Sequence, residues 1–270
     1  MSVSISIPTM CAHYQALRDP AAWRKNFDVT LPDGGREDVW PSYPAAFIRH
    51  PQPLQASGPS PDPAQAEARA EALIGRFGLV PHWAKDETVG RHTYNARSET
   101  VASKPSFRDA WRLGRRCVVP AEAIYEPDWR SGRGVPTRIR RSDGQPLALA
   151  GVWTGWRSPT GEVLRSFSLL TVNADHHAFM RQFHKPDEEK RMVVVLPPHA
   201  LQRWLQAPLA EATAWIQACA ADVLCVDESS QPPAPSGGQG GTDEGLSLQL
   251  PLTKGLLTPI SPDALEIQKA

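Results

Sequence analysis

Cysteine, net charge and long apolar runs are all scarce in this sequence of 270 residues. The four cysteines form no C-x-x-C pair and no zinc-finger spacing, which argues against a structural zinc site. Basic and acidic residues number 29 each, so the chain has no net charge with which to coat long stretches of nucleic acid, although a local basic groove is still allowed. No apolar run approaches the roughly 18 residues of a membrane span, so no membrane partner is expected.

The first nine residues, MSVSISIPT, lack the features of a secretory signal. They contain no basic segment followed by an apolar stretch of about 7–15 residues. Free thiols in a reducing cytoplasm are therefore the simplest expectation for all four cysteines. A second methionine, Met10, stands directly before Cys11, which raises the question of whether Cys11 is an internal residue in the working protein.

Short β-rich runs are numerous, whereas long helical stretches are few. RSFSLLTV (165–172) and RMVVVLP (191–197) are typical of buried strands, and RIRRSDGQPLALAGVW (138–153) predicts a β-hairpin that turns at Asp143-Gly144. RDPAAWRKNF (18–27) predicts a helix capped by Asp19. We therefore predict the α+β class, with a predominantly antiparallel sheet curved into a barrel-like core and short peripheral helices.

Composition divides the chain into a domain and two flanking segments. Residues 11–228 are expected to form a single domain, with a Pro- and Ala-rich surface insertion at 51–70. Residues 229–270 begin with SSQPPAPSGGQGGTDEG after Glu228 and are predicted to be largely disordered, because they bury too little apolar surface to offset their ordering entropy. Residues 1–10 are interpreted as a leader that the mature protein lacks.

Four stretches of the sequence are candidates for chemistry. They are MC (10–11), FGLVPHWAKD (77–86) leading into YNARSET (94–100), RRCVVPAEAIYEP (115–127), and LLTVNADHHAFMRQFHKPDEEKRMVVVLP (169–197). Each has an ordinary structural interpretation when it is taken alone. An asparagine caps turns, a glutamate before proline suits a strand end, and a lone histidine is more often structural than catalytic.

In this order, the motifs resemble the SOS response-associated peptidase (SRAP) family, the abasic-site processing proteins that crosslink to single-stranded DNA. The resemblance covers about residues 10–226. It implies the SRAP fold, a cytoplasmic protein that joins the nucleoid during DNA damage, and single-stranded DNA with abasic sites as the partner. It implies no cofactor and no metal, and we expect a monomer.

The resemblance also implies four catalytic residues. The family's mature chain begins with a cysteine, matched by Cys11, although its usual MCGRF start reads MCAHY here. Asn95 matches the asparagine of the N-A-R-x-E-T segment, and Glu126 matches the glutamate that ends the aromatic-Glu segment. His184 matches the histidine before the R-M-P-V-I-L-like strand; it is preferred over His176 and His177 despite a spacing longer than the family's H-x-R-M.

These residue types suit the chemistry of an aldehyde. An N-terminal cysteine carries an α-amine with a pKa of about 8 and a thiol with a pKa of about 8.5 on adjacent carbons. The amine can condense with a ring-opened abasic deoxyribose to an imine, and the thiol can then close a thiazolidine. A buried carboxyl such as Glu126 can shuttle protons, and His184 can act as an acid on the sugar oxygen.

Five further residues are candidates for contact with the DNA strand. Arg97, Arg115 and Arg116 suit backbone phosphates. Trp83 is a candidate stacking platform for a base beside the lesion, and Thr171 is expected to orient the site.

Three other functions remain open at this point. One is a cysteine peptidase that uses Cys11 and His184 on peptide substrates. Removal of the leader by the protein itself and a strand-cleaving lyase activity are side activities considered for the crosslinking protein. Another is a non-enzymatic binder of single-stranded DNA. A metal site built from His176, His177, His184 and Glu188 is the weakest, because its spacing matches no strong zinc pattern.

Overall fold

The computed structural model describes residues 11–51 and 69–227. The predicted leader at 1–10, most of the predicted insertion at 51–70 and the predicted tail at 229–270 lie outside the described residues. The strands are β1 (His13–Ala16), β2 (Asp38–Val39), β3 (Pro44–Arg49), β4 (Glu71–Phe77), β5 (Asn95–Arg97), β6 (Arg116–Asp128), β7 (Val135–Arg141), β8 (Leu147–Arg157), β9 (Val163–Asn173), β10 (Arg191–Val193) and β11 (Leu224–Val226). The α-helices are α1 (Pro20–Phe27), α2 (Arg108–Arg112), α3 (Leu201–Gln206) and α4 (Leu209–Thr213).

Five strands close into a barrel at the centre of the sheet. Around the ring, β3 pairs with β4, β4 with β9, β9 with β8, β8 with β6, and β6 with β3. Four of these pairs are antiparallel and the β4–β9 pair is parallel. The predicted barrel-like, predominantly antiparallel sheet with short helices is therefore confirmed. Ring closure leaves these five strands without an unpaired edge at the barrel.

Aromatic side chains fill the barrel interior. The ring centroid of Phe167 lies 5.3 Å from that of Phe47 and 5.6 Å from that of Phe77. Trp153 packs on Phe47 at 6.3 Å, and all four residues are fully buried. Large rings supply much of the apolar area that a small barrel needs, and they fix its interior shape.

Helix α1 forms where the sequence predicts it. The Asp19 carboxylate accepts a hydrogen bond from the Ala21 N–H at 2.9 Å, and Pro20 occupies the first turn. Trp23 and Phe27, one turn apart on the helix, are both buried and belong to the hydrophobic core. The Trp23 indole N–H also donates to the Leu17 carbonyl at 2.9 Å, so α1 is fixed to the end of β1.

The predicted hairpin at Asp143-Gly144 is wrong in its pairing. The turn is present, but β7 and β8 do not pair with each other within the described residues. Strand β6 is 13 residues long and pairs with both of them in succession, with β8 along Arg116–Ala121 and with β7 along Ile124–Asp128. The residues Asp143-Gly144 thus predict the turn correctly. The pairing of β7 and β8 is decided by β6, which pairs with both of them.

Candidate active site

The two chain segments that carry Cys11 and Glu126 meet through a strand ladder. Strand β1 runs antiparallel to β6, with His13 opposite Tyr125 and Tyr14 opposite Ile124. Continuing this register toward the start of β1 brings Cys11 to the end of β6 that holds Glu126. Backbone pairing therefore places residue 11 beside residue 126.

Asn95 reaches the same point from a different strand. It begins β5, which lies parallel to β9 with Asn95 opposite Leu169. Its side-chain N–H donates to the Cys11 carbonyl oxygen at 3.0 Å, and both residues are buried. This contact joins segments 84 residues apart in the chain and fixes the backbone of Cys11.

Burial sets the protonation states of the thiol and the carboxyl. It raises the pKa of Glu126 to about 8, and a hydrogen bond with the Cys11 thiol opposes that rise. Burial, and then the neighbouring Glu126 carboxyl, raise the pKa of the Cys11 thiol well above its ordinary value. At neutral pH the site therefore holds a neutral thiol beside a carboxyl that is mostly protonated.

Two buried acceptor atoms at this site have no hydrogen-bond partner among the described residues. They are Oδ1 of Asn95 and Oε1 of Glu126. Leaving a buried acceptor unsatisfied costs about 1–3 kcal/mol, so such atoms are uncommon in folded proteins. Both oxygens are suited to receive N–H or O–H groups of a reacting molecule or of the Cys11 α-amine.

Tyr94 is a neighbour of the site that the sequence does not single out. Burial, followed by the nearby Cys11 and Glu126, raises its pKa to about 12, so its hydroxyl keeps its proton. It also packs edge-on against Phe77 at 5.9 Å, which ties the site to the barrel interior. Its position directly before Asn95 in the YNARSET motif was the available signal.

His184 is buried, and within the described residues it has no hydrogen bond to the three residues above. Its Nε2 accepts a hydrogen bond from the Arg191 N–H at 3.4 Å. Burial lowers its pKa to about 4, against the opposing effect of the Met180 backbone. The structure thus places a neutral imidazole at the start of β10, and none of its partners in the described part of the chain is Cys11, Asn95 or Glu126.

Arg97 and Thr171 lie opposite each other on β5 and β9. Side chains at i and i+2 of a strand share a face, so Arg97 lies on the same face of β5 as Asn95. The Arg97 side chain is 48% exposed and pairs with Glu189 at 2.8 Å. Thr171 is buried, and its Oγ1 accepts a hydrogen bond from Arg191 Nε at 3.2 Å. The hydroxyl therefore contacts another protein side chain and is not exposed to a DNA strand.

Arg115 and Arg116 lie in the interior. The Arg115 guanidinium lies over the Trp153 ring at 5.5 Å and donates to Thr154 Oγ1 at 3.4 Å. Arg116 donates to the carbonyl oxygens of Trp204 and Ala207 at the end of α3. Because both side chains are buried, neither guanidinium faces a groove on the surface where a DNA phosphate could bind.

Trp83 is a large apolar side chain on the surface. It is 50% exposed, and its indole N–H donates to the Pro105 carbonyl at 3.4 Å. This hydrogen bond holds the ring at a fixed position while leaving part of its face open. An exposed, anchored indole has the properties of a base-stacking platform.

His13, for which no role is predicted from the sequence, lies in an aromatic stack. Its ring is parallel to Trp40 at 4.0 Å and to Tyr125 at 4.1 Å, and its Nε2 contacts the Asp38 carboxylate. Burial lowers its pKa, against the effect of Asp38. The stack joins β1, β2 and β6 two residues after Cys11, and it therefore holds the segment that presents Cys11.

Two further findings concern the described residues. No three His, Cys, Asp or Glu side chains among them come together as a metal site. None of their helices is long and apolar enough to cross a membrane.

Comparison with known proteins gives one family and several relatives. The family model described as SOS response associated peptidase (SRAP) matches residues 10–228. The Bacillus subtilis protein named abasic site processing protein YoqW is 35% identical over 133 residues, which are 48% of this chain and 55% of that protein. The mouse protein named abasic site processing protein HMCES is 30% identical over 162 residues, which are 48% of this chain and 43% of that protein. The chain thus spans about half the length of the curated relatives it matches.

Solved structures share the fold. A crystal structure of a Bordetella bronchiseptica protein matches with a TM-score of 0.70 at 40% identity, over 80% of this chain and 98% of that one. A Bacteroides thetaiotaomicron protein matches with a TM-score of 0.59 at 21% identity, over 80% of this chain and 90% of that one, and this match concerns the fold alone.

Proposed function

Because the chain belongs to the SOS response-associated peptidase family, we propose that it processes abasic sites in DNA by forming a covalent crosslink through Cys11. The relatives named abasic site processing proteins support the substrate class. The proposed partner is single-stranded DNA that contains an abasic site, and the proposed product is a thiazolidine that links the protein to the sugar.

The convergence of Cys11, Asn95 and Glu126 is the observation that carries this proposal. Asn95 holds the Cys11 carbonyl at 3.0 Å, and Glu126 lies against the thiol in a buried site. The unsatisfied oxygens of Asn95 and Glu126 supply two buried acceptors on the residues that contact Cys11. An amine that adds to an aldehyde needs such acceptors, because its N–H protons must be held and then removed.

The proposed reaction balances without a cofactor. The neutral α-amine of Cys11 adds to the C1′ aldehyde of the ring-opened deoxyribose, and the resulting carbinolamine loses water to give an imine. The thiol then gives its proton to the Glu126 carboxylate, and its sulfur bonds to the carbon of the protonated imine, which yields the neutral thiazolidine. The sum is one aldehyde, one amine and one thiol converted to one thiazolidine and one water.

Glu126 is the proposed proton carrier for both steps. With a pKa of about 8 it is mostly protonated at neutral pH, so it can donate a proton to the hydroxyl that leaves as water. The carboxylate formed in that step can then accept the proton of the Cys11 thiol. Burial makes one group suitable for both directions of transfer.

The α-amine of Cys11 must be free for this chemistry. We therefore propose that the working protein begins at Cys11, either through initiation at Met10 and loss of that methionine or through removal of the leader by the protein itself. An imine also permits β-elimination of the 3′ phosphate, so a slow lyase activity is part of the proposal.

The exposed groups near the site suggest how the strand is held. Arg97 shares a strand face with Asn95, and its half-exposed guanidinium suits a phosphate beside the lesion. Trp83 is proposed to stack on a flanking base. Thr171 is proposed to act through Arg191, as a residue that orients the β9–β10 edge.

A general cysteine peptidase is less well supported. A peptidase nucleophile needs a lowered thiol pKa and a histidine within hydrogen-bond reach. Here burial raises the pKa of Cys11, and the partners of His184 in the described residues do not include Cys11. With its pKa lowered to about 4, His184 is neutral near pH 7 and accepts the Arg191 N–H, so the proposed reaction assigns the acid role to Glu126 alone.

Loss of the crosslink in Cys11→Ala tests the proposal. We expect no covalent adduct with an abasic oligonucleotide on a denaturing gel, while affinity for intact single-stranded DNA stays unchanged. Cys117→Ala, at a buried cysteine of the barrel, is the matched control and should crosslink normally. Full crosslinking by Cys11→Ala would contradict the proposal, and equal noncovalent binding of intact and abasic strands with no adduct would favour a simple DNA binder.

A further inference from the structure

The loop between His184 and β10 places a carboxylate on the candidate phosphate-binding arginine. Glu189 Oε2 lies 2.8 Å from Arg97 Nη1, and Glu189 Oε1 lies 2.6 Å from Arg191 Nη1. One carboxylate therefore bridges two guanidinium groups. The two arginines differ in burial, because the Arg191 side chain is 2% exposed whereas that of Arg97 is 48% exposed.

The position of Glu189 is set by a folded loop. The Lys190 ammonium donates to the carbonyl oxygens of Lys185, Pro186 and Glu188, which closes residues 185–190 into a compact turn. The Lys190 N–H donates to Asp175 Oδ1 at 2.8 Å, which ties the turn to the segment after β9. Glu189 is thus held between two residues whose backbones are fixed.

Arg191 does not depend on Glu189 alone. Its Nη2 pairs with Glu99 at 2.8 Å and donates to the Thr171 carbonyl at 2.9 Å. Arg97 has Glu189 as its ion-pair partner in the described residues. A ligand that binds Arg97 therefore competes with the Glu189 carboxylate. When the Arg97 side chain moves to the ligand, Glu189 keeps its ion pair with Arg191.

We propose that Glu189 is an affinity-determining gate on the DNA surface: a strand phosphate binds Arg97 only by displacing the Glu189 carboxylate. This inference rests on the proposed function, because it takes Arg97 as a phosphate contact. An exposed ion pair is weak, so the gate is easily displaced where a strand makes other contacts. The Glu189 gate lowers the affinity for strands that bind through phosphate charge alone. For such strands, the loss of the Arg97–Glu189 ion pair offsets most of the gain from the Arg97–phosphate ion pair.

Neutralising the gate should strengthen binding to intact single-stranded DNA. Glu189→Gln keeps a similar shape and removes the charge, so we expect affinity for an unmodified oligonucleotide to rise by roughly 3–10-fold at low salt. Because Arg97 is then free to release a counterion from the strand, the slope of log affinity against log salt should steepen by about 0.7. Fluorescence anisotropy over a salt series measures both quantities.

Asp187→Asn is the matched control. It removes the same charge from an exposed position in the same loop, and in the described residues no ion pair to Asp187 is found. The gate predicts a clearly smaller gain for Asp187→Asn than for Glu189→Gln. It also predicts that Glu189→Gln gains nothing in an Arg97→Ala background, because the competition has been removed.

Two results would overturn the inference. Equal gains in Glu189→Gln and Asp187→Asn would assign the effect to overall charge, and an undiminished gain in the Arg97→Ala background would remove Arg97 from it. A failure of the proposed function has a different signature: absence of a covalent adduct with abasic DNA in the wild-type protein, whatever Glu189→Gln does to the binding of intact strands.

Discussion

In the proposed reaction, one buried residue, Glu126, has two chemical roles. The same carboxyl at a strand end on the surface would be ionised at neutral pH and would serve only as a base. Its burial against the Cys11 thiol raises its pKa to about 8, so that it can donate and then accept a proton. The residue type and its position came from the sequence motif, but its protonation state came from the packing around it.

The raised pKa of Glu126 makes stability depend on pH. The neutral form is favoured in the folded state, so the contribution of Glu126 to stability is fully present below its ordinary pKa of 4.5 and is lost as the pH rises to about 8. Glu126→Gln stays neutral at every pH. We therefore expect the variant to gain unfolding free energy relative to the wild type as the pH rises from 5 to 8, by a few kcal/mol at most.

Urea denaturation at pH 5, 7 and 9 measures this difference. The gap between Glu126→Gln and the wild type should widen up to about pH 8 and stay constant above it. A gap of the same size at all three pH values would mean that Glu126 does not change its protonation state in this range.

The same substitution should slow crosslinking. A positioned proton carrier contributes about 10²–10⁴-fold to a rate, and glutamine can neither donate to the leaving hydroxyl nor accept the thiol proton. Single-turnover assays of adduct formation on abasic DNA should show a loss of that size, with noncovalent binding of intact DNA unchanged. A wild-type rate in Glu126→Gln would remove the carboxyl from the mechanism.

Short sequence motifs predict some residues of the candidate site and mislead about others. Asn95 and Glu126 were identified because each belongs to a recognisable short segment, and the structure brings both to Cys11. Arg115 and Arg116 belong to an arginine-rich segment that looks like a basic surface, yet both are buried. A sequence gives the charge of an arginine but not the carbonyl groups or aromatic ring that a distant segment presents to it.

Elements of structure were predictable where the signal is local. Helix α1 follows from a capping aspartate, a first-turn proline and two aromatic residues four apart, all within ten positions. Strand pairing was not predictable in this way. A turn joins β7 to β8, as the sequence predicts, but both strands pair with β6 and not with each other. Pairing is set by which strand covers the remaining edge, and that depends on the whole sheet.

Helix α3 is attached to the barrel through Arg116. The guanidinium caps the last carbonyls of the helix, at Trp204 and Ala207, and lies over the Trp204 ring at 5.7 Å. Arg116→Met keeps most of the side-chain volume but leaves these carbonyls without their donor. We expect a loss of about 2–3 kcal/mol in unfolding free energy, measured by denaturant titration.

DNA binding separates this structural role from a phosphate contact. Arg116→Met should leave the salt dependence of single-stranded DNA binding unchanged at a temperature where the variant is folded, because the guanidinium does not reach the surface. Arg97→Ala, made in the Glu189→Gln background, should do the reverse, with a shallower salt slope than Glu189→Gln alone and little change in stability. A shallower salt slope in Arg116→Met would show that the side chain contacts the strand.

The whole molecule brings its site together by closing a barrel. Cys11, Asn95 and Glu126 come from β-segments widely separated in the chain, and β5 and β6 are held in position by β9 and by the closed ring. Composition and strand-like runs were enough to predict a barrel-like antiparallel sheet. They could not predict that β4 and β5 both join β9 in parallel, because a parallel pair depends on connections made elsewhere in the fold.

We propose that Cys11 reacts as an N-terminal residue, through its α-amine and its thiol together. Intact mass spectrometry of the product with an abasic oligonucleotide is the decisive measurement, on a chain that begins at Cys11 and a chain in which Met10 cannot be removed. We expect an adduct with the mass of protein plus DNA minus one water for the first chain and no adduct for the second. Efficient crosslinking by the chain that retains Met10 would show that the α-amine of Cys11 is not needed.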